Sequence, residues 1–452
     1  MHRTSMGAIV SASAALVATA ALVGSGCSPQ AATPADAPTA STLEAAPVSG
    51  DAKGAGNPVS AADVEALWAP VAAAAAQGGY TAWGTVVDAE TGEVLLDAAA
   101  ATPHTPASTT KTLAAFSALH HLDPTATLTT SALLGADNQT LYLDSEGDLL
   151  LGIGTSDEVE VSGRAGLQSL ANDAAAALTQ RGITSVTLNW RGTLFDGASH
   201  LASWDAQEVG NYAGDVGAIA IDAGRTEPGA NSFHQDPALR AAQVFAAALE
   251  SNGVATDLGS AAPAPQGAAS LASVESATMG QQIRWMLHHS DNTVADQYCH
   301  LAAAAAGAPT TFAGSVDNLV STLTSAGVPT DGLRLEDCSG LSSNDRLTAR
   351  TLVGVLRAAM ASSNAGARDL IESLPWAGLQ GTLTTRFTDS PAVGNVQAKT
   401  GSLAAVASLS GVLTTQGGRT LVVAVGVEDP AERAASARGL LDSFEEGLVS
   451  LN

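Results

Sequence analysis

Three short motifs bring together the residue types that nucleophilic catalysis by a serine requires. They are Ser108-Thr109-Thr110-Lys111, Ser290-Asp291-Asn292 and Lys399-Thr400-Gly401-Ser402. A serine hydroxyl is a weak nucleophile until a neighbouring base takes its proton. Lysine can be that base where its surroundings lower its pKa, whereas arginine keeps its proton at any working pH. The chain has three lysines among 19 basic residues, and two of them stand in these motifs.

The first motif predicts a nucleophile and its base on one face of a helix. Pro106 favours a helical first turn, and residues three apart on a helix are neighbours, so Lys111 is expected beside Ser108. The ordinary pKa of lysine is ~10.4, so burial and a nearby cation must lower it, and Lys399 is the candidate cation. The backbone N–H of Ser108, at the start of the helix, can point at a developing oxyanion. On its own, Ser-x-x-Lys is a weak motif.

The second motif follows an apolar run that is typical of a helix end. Ser290 is a candidate for relaying protons between Lys111 and a leaving amine, and Asn292 for binding both a substrate amide and the Lys111 amine. Asp291 is expected in a solvated turn or as a helix cap. Taken alone, the triplet is equally typical of an Asx turn between two helices.

The third motif follows a short apolar strand. Lys399 and Thr400 are candidates for holding a substrate carboxylate, and Gly401 for letting a substrate backbone come close. The backbone N–H of Ser402 is the candidate for a second oxyanion donor. The apolar residues 403–406 are expected to continue the strand, and a plain turn between strands is the alternative.

Hydrophobic periodicity indicates the elements that must position these motifs. A helix is predicted from Ala61, followed by a hairpin in which Tyr80–Asp88 and Val94–Leu96 flank a Glu-Thr-Gly turn. Later strands are predicted at 141–143, 149–151, 186–188, 396–398 and 421–425. Later helices are predicted at 167–181, from Met279 onward, and from about 430 to 448.

The motif-free stretch between the first and second motifs mixes strands and helices, and it ends in an Ala-Pro-rich segment that is typical of a linker. The simplest organisation is therefore one catalytic domain, formed by residues 61–130 and 268–452, that is split by an inserted domain at residues 131–267.

The composition limits the kinds of partner. Asp and Glu number 44 against 19 Lys and Arg, which gives a formal net charge of −25. Such a surface argues against nucleic acid and anionic membrane as partners. A chain of 452 residues with 46% hydrophobic residues is long enough for two or three domains.

The N-terminus has the pattern of an export signal. A basic start precedes an uncharged apolar run from Ala8 to Val23 that is short for a membrane span, so residues 1–27 are predicted to be a signal peptide. Small residues before Cys27 resemble a lipoprotein box, but Leu22 lies further away than that pattern prefers, so a lipid anchor at Cys27 is left open. Residues 28–60 are predicted to be a disordered tether. The protein is expected at the outer face of the cytoplasmic membrane or in the cell wall.

Two cysteines remain, Cys299 and Cys338. In an exported protein two cysteines can form a disulfide, and two buried free thiols are the alternative. Their spacing fits no metal site, and the sequence leaves the pairing open.

Together and in this order, the three motifs resemble those of class C low-molecular-mass penicillin-binding proteins, the D-alanyl-D-alanine carboxypeptidase/endopeptidase family. The resemblance runs from about residue 61 to the C-terminus and includes the long insertion. It extends to residues 337–342 and 374–383, which we expect to frame the cleft. It implies an α/β fold with a penicillin-binding transpeptidase-like (serine β-lactamase-like) catalytic domain, split by an inserted mixed α/β domain.

The resemblance implies a serine peptidase that acts on peptidoglycan stem peptides ending in D-Ala-D-Ala, as a carboxypeptidase or endopeptidase, and that β-lactams inhibit. Ser108 is the implied nucleophile, and no cofactor or metal is expected. The other implied site residues are Lys111, Ser290 and Asn292 for catalysis, and Lys399, Thr400, Gly401 and Ser402 for substrate binding. The balance of the two activities, the stem peptide preferred and the oligomeric state are left open.

Two other functions are compatible with parts of the pattern. A serine β-lactamase shares the three motifs, but it also needs a group that activates a deacylating water, and no Glu-led helical motif between the second and third motifs supplies one. A non-catalytic lipoprotein that binds cell wall is the other alternative. An intact nucleophile and both lysines argue against it, because a binding module does not need them.

Overall fold

The computed structural model describes residues 56–429 and 431–452. The predicted signal peptide, Cys27 and the predicted tether as far as residue 55 lie outside the described residues. The first described residues already pack against the folded chain. The backbone N–H of Asn57 donates to the carbonyl of Gly417 over 3.0 Å, and Val59 is buried in the core. Within the described ranges, no helix is both long and apolar enough to cross a membrane.

The secondary structure of the described chain alternates between strands and helices. The strands are β1 (Thr81–Asp88), β2 (Val94–Ala98), β3 (Thr129–Leu134), β4 (Thr140–Ser145), β5 (Ser185–Trp190), β6 (Ala255–Ala261), β7 (Ala269–Glu275), β8 (Val396–Leu403), β9 (Val406–Thr414) and β10 (Thr420–Glu428). The helices are α1 (Ala61–Gly78), α2 (Lys111–His121), α3 (Leu167–Gln180), α4 (Ala202–Ala206), α5 (Pro237–Ser251), α6 (Met279–His289), α7 (Asn292–Ala305), α8 (Phe312–Ser325), α9 (Ala349–Ala361), α10 (Ala365–Glu372) and α11 (Ala434–Val449).

One sheet is antiparallel throughout, with the strand order β2-β1-β10-β9-β8. Its central strands are almost continuously buried because helices cover both faces. Alternate residues of β10 serve the two faces: Val422 packs with α2 and α9, whereas Val423 packs with α1 and α11. Strand β8, which carries the third motif, forms one edge of this sheet.

The second sheet is mixed, with the order β6-β5-β4-β3-β7. The pairs of β3 with β4 and with β7 are antiparallel, whereas β4, β5 and β6 run parallel. Helices α3 and α5 pack on one face and enclose a separate apolar core. The strands of this sheet come from residues 129–275, between the first and second motifs.

Several predicted elements are confirmed and two are not. The hairpin of β1 and β2, helix α3 and the strands at 141–143, 186–188 and 421–425 form as predicted. The predicted strand at 149–151 is instead a buried irregular segment with a single bridge from Leu151 to Ile221. The strand predicted to run through 403–406 is also wrong. It breaks at Ala404 and Ala405, which form the two-residue turn of the β8–β9 hairpin.

Cys299 of α7 and Cys338 form a disulfide. Both are buried, at 0% and 1% exposure. The bond ties α7, which begins with Asn292, to the loop that contains Ser339.

Candidate active site

Ser108 lies in a 3-10 turn, Ala107–Thr110, that leads directly into α2. Ala107 has a φ of 52°, which is unfavourable for a residue with a side chain and is found where the surroundings enforce it. Gly340 makes room for this turn, since a Cβ at that position would lie 1.9 Å from the Ala107 carbonyl oxygen. The hydroxyl of Thr109 closes the turn by donating to the Pro106 carbonyl over 2.7 Å. Ser108 is left half-buried at the start of the helix.

Lys111 is fully buried, and its amine is held by three acceptors. Its Nζ lies 3.0 Å from Ser108 Oγ, 2.6 Å from Asn292 Oδ1 and 2.7 Å from the Ser339 carbonyl oxygen. A charged amine has three hydrogens for these contacts, whereas a neutral amine has two hydrogens and a lone pair. In the neutral form the lone pair can accept the Ser108 proton.

Burial lowers the pKa of Lys111 to about 8. Buried carboxylates oppose this effect, and Asp337 contributes the most, ahead of Asp296, Asp291 and Asp345. Burial raises the pKa of Asp296 and of Asp345 well above the ordinary value, which weakens those two as counter-charges. The two causes expected from the sequence for a lowered pKa of Lys111 were burial and the charge of Lys399, and burial is the main one.

The second motif links the two lysines. Helix α6 ends at His289 and is capped by Ser290, whose φ of 55° and ψ of 37° are left-handed, and α7 begins two residues after Ser290. Ser290 Oγ accepts a hydrogen bond of 2.9 Å from the amine of Lys399, and Asn292 Oδ1 accepts from Lys111. The other amide atom of Asn292 donates to the Tyr212 carbonyl over 2.9 Å.

Asp291 is the predicted helix cap, since its carboxylate accepts from the backbone N–H of Val294 over 2.8 Å. It is not the solvated residue that the sequence suggested. Its side chain is 0% exposed and forms an ion pair with Arg225, from the chain between the first two motifs. That pair fixes the junction of α6 and α7 on which Ser290 and Asn292 depend.

Lys399 is fully buried as well. Besides Ser290 Oγ, its amine donates to the Thr400 carbonyl over 2.9 Å. Burial, and after it the positive charge of Lys111, lower the pKa of Lys399 well below the ordinary value. Its contact with a substrate carboxylate stays a prediction, and the enclosed amine favours an indirect effect through Ser290.

The rest of the third motif lies in β8 and faces two directions. A Cβ on Gly401 would lie 2.0 Å from Ser408 Oγ and 2.7 Å from the Pro106 carbonyl oxygen, so this glycine lets the strand pack against the Ser108 turn. Thr400 Oγ1 donates to the Thr382 hydroxyl over 2.9 Å, and Ser402 is exposed. Substrate approach at Gly401 and an oxyanion donor at Ser402 stay predictions.

Asp337 is a residue of the site that the sequence did not single out for a role. Its carboxylate accepts from the backbone N–H groups of residues 339–342, from the Ser339 hydroxyl and, over 2.7 Å, from the indole N–H of Trp204. These hydrogen bonds shape the loop in which the Ser339 carbonyl accepts a hydrogen bond from the Lys111 amine. An aspartate two residues before Ser-Gly is a common turn signal, but no local pattern in the sequence indicates that this turn lies beside Lys111.

Trp204, Tyr212 and Arg225 all come from the chain between the first two motifs, and all three contact the site or its supports. A hydrogen bond of 2.8 Å from the Gly214 N–H to the Thr293 hydroxyl adds to them. This part of the chain therefore supports the junction of α6 and α7 and the loop after Asp337. No motif marks these contacts in the sequence.

Known proteins match this chain over most of its length. The D-Ala-D-Ala carboxypeptidase 3 (S13) family matches residues 67–235 and 229–445. A carboxypeptidase of Mycobacterium tuberculosis is 36% identical over 380 residues, which cover 81% of this chain and 79% of that protein. Carboxypeptidase DacB of Mycolicibacterium smegmatis is 34% identical over 352 residues, which cover 76% and 75%.

The fold also has a solved counterpart. The crystal structure of penicillin binding protein 4 from Haemophilus influenzae superposes with a TM-score of 0.68 at 20% identity and covers 85% of this chain and 98% of that one. The predicted fold class, a transpeptidase-like α/β domain with an inserted mixed domain, is confirmed. Fold and site define a serine peptidase of the penicillin-binding type. The chain belongs to the D-Ala-D-Ala carboxypeptidase 3 (S13) family, and the resemblance drawn from its motifs is thereby confirmed.

Proposed function

We propose that this serine D-Ala-D-Ala carboxypeptidase works through an acyl-enzyme on Ser108. Ser108 Oγ attacks the carbonyl between the two D-alanines while its proton passes to Lys111 Nζ. The C–N bond then breaks, and the leaving amine takes a proton by way of Ser290. Water hydrolyses the ester and releases the shortened peptide. Cleavage of a cross-link is the same reaction with a larger leaving group.

The contact of Lys111 with Ser108 is the observation that carries this proposal. A base within hydrogen-bond reach of the nucleophile, with a pKa near the working pH, is what proton transfer requires. Lys111 meets both conditions, at 3.0 Å and with a pKa of about 8.

The edge of β8 supports a binding mode for the peptide. In the described chain, residues 375–377 cover this edge only as far as Ala398, to which the Pro375 carbonyl is bonded over 3.0 Å. The edge at Lys399–Leu403 lies beside the Ser108 turn, because Gly401 packs on Pro106. An extended peptide can add to such an edge as a further strand, with its scissile carbonyl at Ser108.

Relatives of known structure support the proposed partners. Penicillin binding protein 4 of Haemophilus influenzae has been solved with a bound β-lactam, and one relative is named a D-alanyl-D-alanine carboxypeptidase. We extend these partners to this chain: β-lactams as inhibitors and peptidoglycan stem peptides as substrates. The export pattern supports a place outside the cytoplasmic membrane, with a lipid anchor at Cys27 as part of the proposal.

The test is exposure of the intact protein to penicillin, followed by mass spectrometry, together with assay of D-Ala release from a peptide ending in D-Ala-D-Ala. One stable adduct on the Ser108 peptide and release of D-Ala are expected. Rapid turnover of the drug would show a β-lactamase, and neither adduct nor D-Ala release would show a non-catalytic binding protein.

A further inference from the structure

A polar pocket of about 330 Å³ lies in the chain between the first two motifs. One wall comes from the segment 210–215 and the other from the segment 231–235, and His200 completes the lining. The reaction at Ser108 leaves this pocket without a role.

The lining is rich in neutral groups that form hydrogen bonds. Three of its side chains are primary amides, from Asn211, Asn231 and Gln235, and all three are exposed to an incoming ligand. Each amide offers two N–H donors and an acceptor oxygen. Among the described residues that line the pocket, none is a lysine or an arginine that would pair with a carboxylate or a phosphate. Nor does the described chain contain a group of three His, Cys, Asp or Glu side chains that could hold a metal ion. A neutral ligand with several hydroxyl and amide groups fits this lining best.

His200 belongs to a side of the pocket that is held firmly in place. Its two ring nitrogens lie 3.5 Å from the carboxylates of Asp205 and Asp215, which balance any charge on the ring. The hydroxyl of Ser199 also donates to Asp215, over 3.0 Å. Groups that are already fixed before a ligand arrives lose little conformational freedom when it binds. This side of the pocket is therefore preorganised.

Phe233 supplies an apolar surface among the polar groups. Its ring is half-buried, and a Cβ on Gly214 would lie 2.7 Å from it, so the two walls meet in close contact at this point. Small-molecule sites combine apolar or aromatic surface with a few well-placed polar groups. A sugar ring matches that combination, because its C–H groups form apolar patches while its hydroxyl and acetamido groups form hydrogen bonds.

The first wall lies within a short distance of the nucleophile. The amine of Lys111 lies 3.0 Å from Ser108 Oγ and 2.6 Å from Asn292 Oδ1. Asn292 in turn donates to the carbonyl of Tyr212 over 2.9 Å, and Tyr212 is flanked in sequence by two residues of the lining. An extended peptide spans about 3.3 Å per residue, so a few residues suffice to lead from a scissile carbonyl at Ser108 to this wall.

The second wall is connected to the second motif through Arg225. The guanidinium of Arg225 lies 5.4 Å from the centre of the Phe233 ring and forms an ion pair with Asp291. Both walls of the pocket therefore border the junction of α6 and α7 that carries Ser290 and Asn292.

We propose that this pocket is a subsite for the sugar strand from which a stem peptide extends, and that its ligand is a neutral saccharide with N-acetyl groups. The amides of Asn211, Asn231 and Gln235 bind the sugar hydroxyl and acetamido groups, and the Phe233 ring covers an apolar patch. The proposal rests on the proposed function, since it concerns the same substrate a few residues before the scissile bond.

The test compares two substrates that share one peptide ending in D-Ala-D-Ala. The N-terminus carries an acetyl group in one substrate and the N-acetylated disaccharide of the cell wall in the other. Wild-type protein is expected to show a kcat/KM about 10- to 100-fold higher for the disaccharide-linked peptide, through a lower KM. The double variant Asn231→Ala, Gln235→Ala is expected to lower the ratio of the two kcat/KM values by about 5- to 50-fold, the effect of two neutral hydrogen bonds.

Asn211→Ala tests the opposite wall and is expected to lower the same ratio by about 2- to 10-fold. Asn172→Ala is the matched control. Asn172 is an exposed asparagine on α3, outside the pocket, and its amide oxygen accepts from Gln168 over 2.8 Å. The control is expected to keep the wild-type ratio.

The outcomes separate the subsite from the reaction. Equal cleavage of the two substrates by wild-type protein would overturn the subsite, and so would a double variant that keeps the wild-type ratio. In either case, a penicillin adduct on Ser108 in the same samples would leave the proposed function standing. If wild-type protein forms no adduct and releases no D-Ala from either substrate, both proposals fall.

Discussion

Lys111 and Lys399 are both completely buried, but the charges around them differ. Buried aspartates near Lys111, led by Asp337, oppose the effect of burial and leave its pKa at about 8. The charge that acts on Lys399 is that of Lys111, which adds to burial and lowers the pKa of Lys399 further. Two positive charges in one dry pocket repel each other, so a proton on Lys111 disfavours a proton on Lys399.

This difference assigns the two lysines to different tasks. An amine with a pKa near the working pH can take up and return a proton, and Lys111 has such an amine beside the nucleophile. Lys399 holds Ser290 and the carbonyl of its own strand, at a point that Ser108 does not contact directly. We therefore expect Lys111 to be the base and Lys399 to act by orienting Ser290. The predictions that follow test this division.

The largest effect is expected from Lys111→Arg. Arginine keeps the positive charge but does not give up its proton at working pH, so it cannot accept the proton of Ser108. The rate of acylation by penicillin should fall by ~10²–10⁴. The measurement is the time course of the covalent adduct on the intact protein.

Lys53→Arg is the control for this variant, because it makes the same exchange at the one lysine outside the motifs. A melting curve for each variant separates a failed base from a failed fold. Acylation of folded Lys111→Arg at the wild-type rate would remove Lys111 from the mechanism.

Lys399→Ala is expected to have a smaller effect. It removes the hydrogen bond to Ser290, and the loss of a hydrogen bond to a charged group corresponds to about a 10- to 100-fold fall in acylation rate. If Lys399 acts through Ser290, Ser290→Ala should cause a similar loss, and the double variant should be little worse than either single one. Losses that simply multiply would show that the two residues act independently.

The sequence predicts the reactive residues of this site better than the long-range contacts that hold them in place. The three motifs, their order and the neighbourhood of Ser108 and Lys111 follow from residue type and helical spacing. Four strands of the antiparallel sheet (β1, β2, β8 and β10) also follow, because they are apolar runs with β-branched residues. The central strand β9 was not predicted. These are local signals, and each needs only a short window of sequence.

The supports depend on contacts between distant parts of the chain. Trp204 reaches Asp337 across 133 positions, and Arg225 reaches Asp291 across 66. No periodicity encodes such pairs. The segment at 149–151 shows the same limit, since its leucines are buried by tertiary packing and not by a strand ladder. Local spacing also could not show that Lys399 is fully enclosed.

Asp337→Asn should move the pH dependence of acylation rather than abolish it. If Lys111 is the base, the rate should rise with pH as Lys111 loses its proton, around its pKa of about 8. Asp337 is the largest influence that raises this pKa, so removing its charge should lower it and shift the acid limb of the rate profile to lower pH. The measurement is the second-order rate of acylation across the pH range.

Asp345→Asn is the matched control for that profile. Burial raises the pKa of Asp345 well above its ordinary value. An amide there is therefore expected to change the charge near Lys111 less than Asp337→Asn does. The acid limb of Asp345→Asn should stay in place. An acid limb that moves equally in both variants would show that the charge of Asp337 does not set the pKa of Lys111. The charged groups around Lys111 are Asp337, Asp296, Asp291, Asp345 and the amine of Lys399.

The smallest effect on catalysis is expected from removing the disulfide. The double variant Cys299→Ala, Cys338→Ala frees α7 from the loop whose Ser339 carbonyl holds Lys111, but the bonds to Asp337 still shape that loop. Stability should fall by about 2–4 kcal/mol, the usual range for a native disulfide, while acylation at saturating penicillin changes only about two-fold. Urea unfolding and adduct formation measure the two quantities on one sample. The amine of Lys399 bonds to Ser290 and the Thr400 carbonyl, whereas the Lys111 amine bonds to this loop. Any loss of acylation should therefore resemble a weak Lys111 defect, with its acid limb displaced, and not the Lys399→Ala defect. An unchanged unfolding free energy would show that the bond does not constrain the protein in solution.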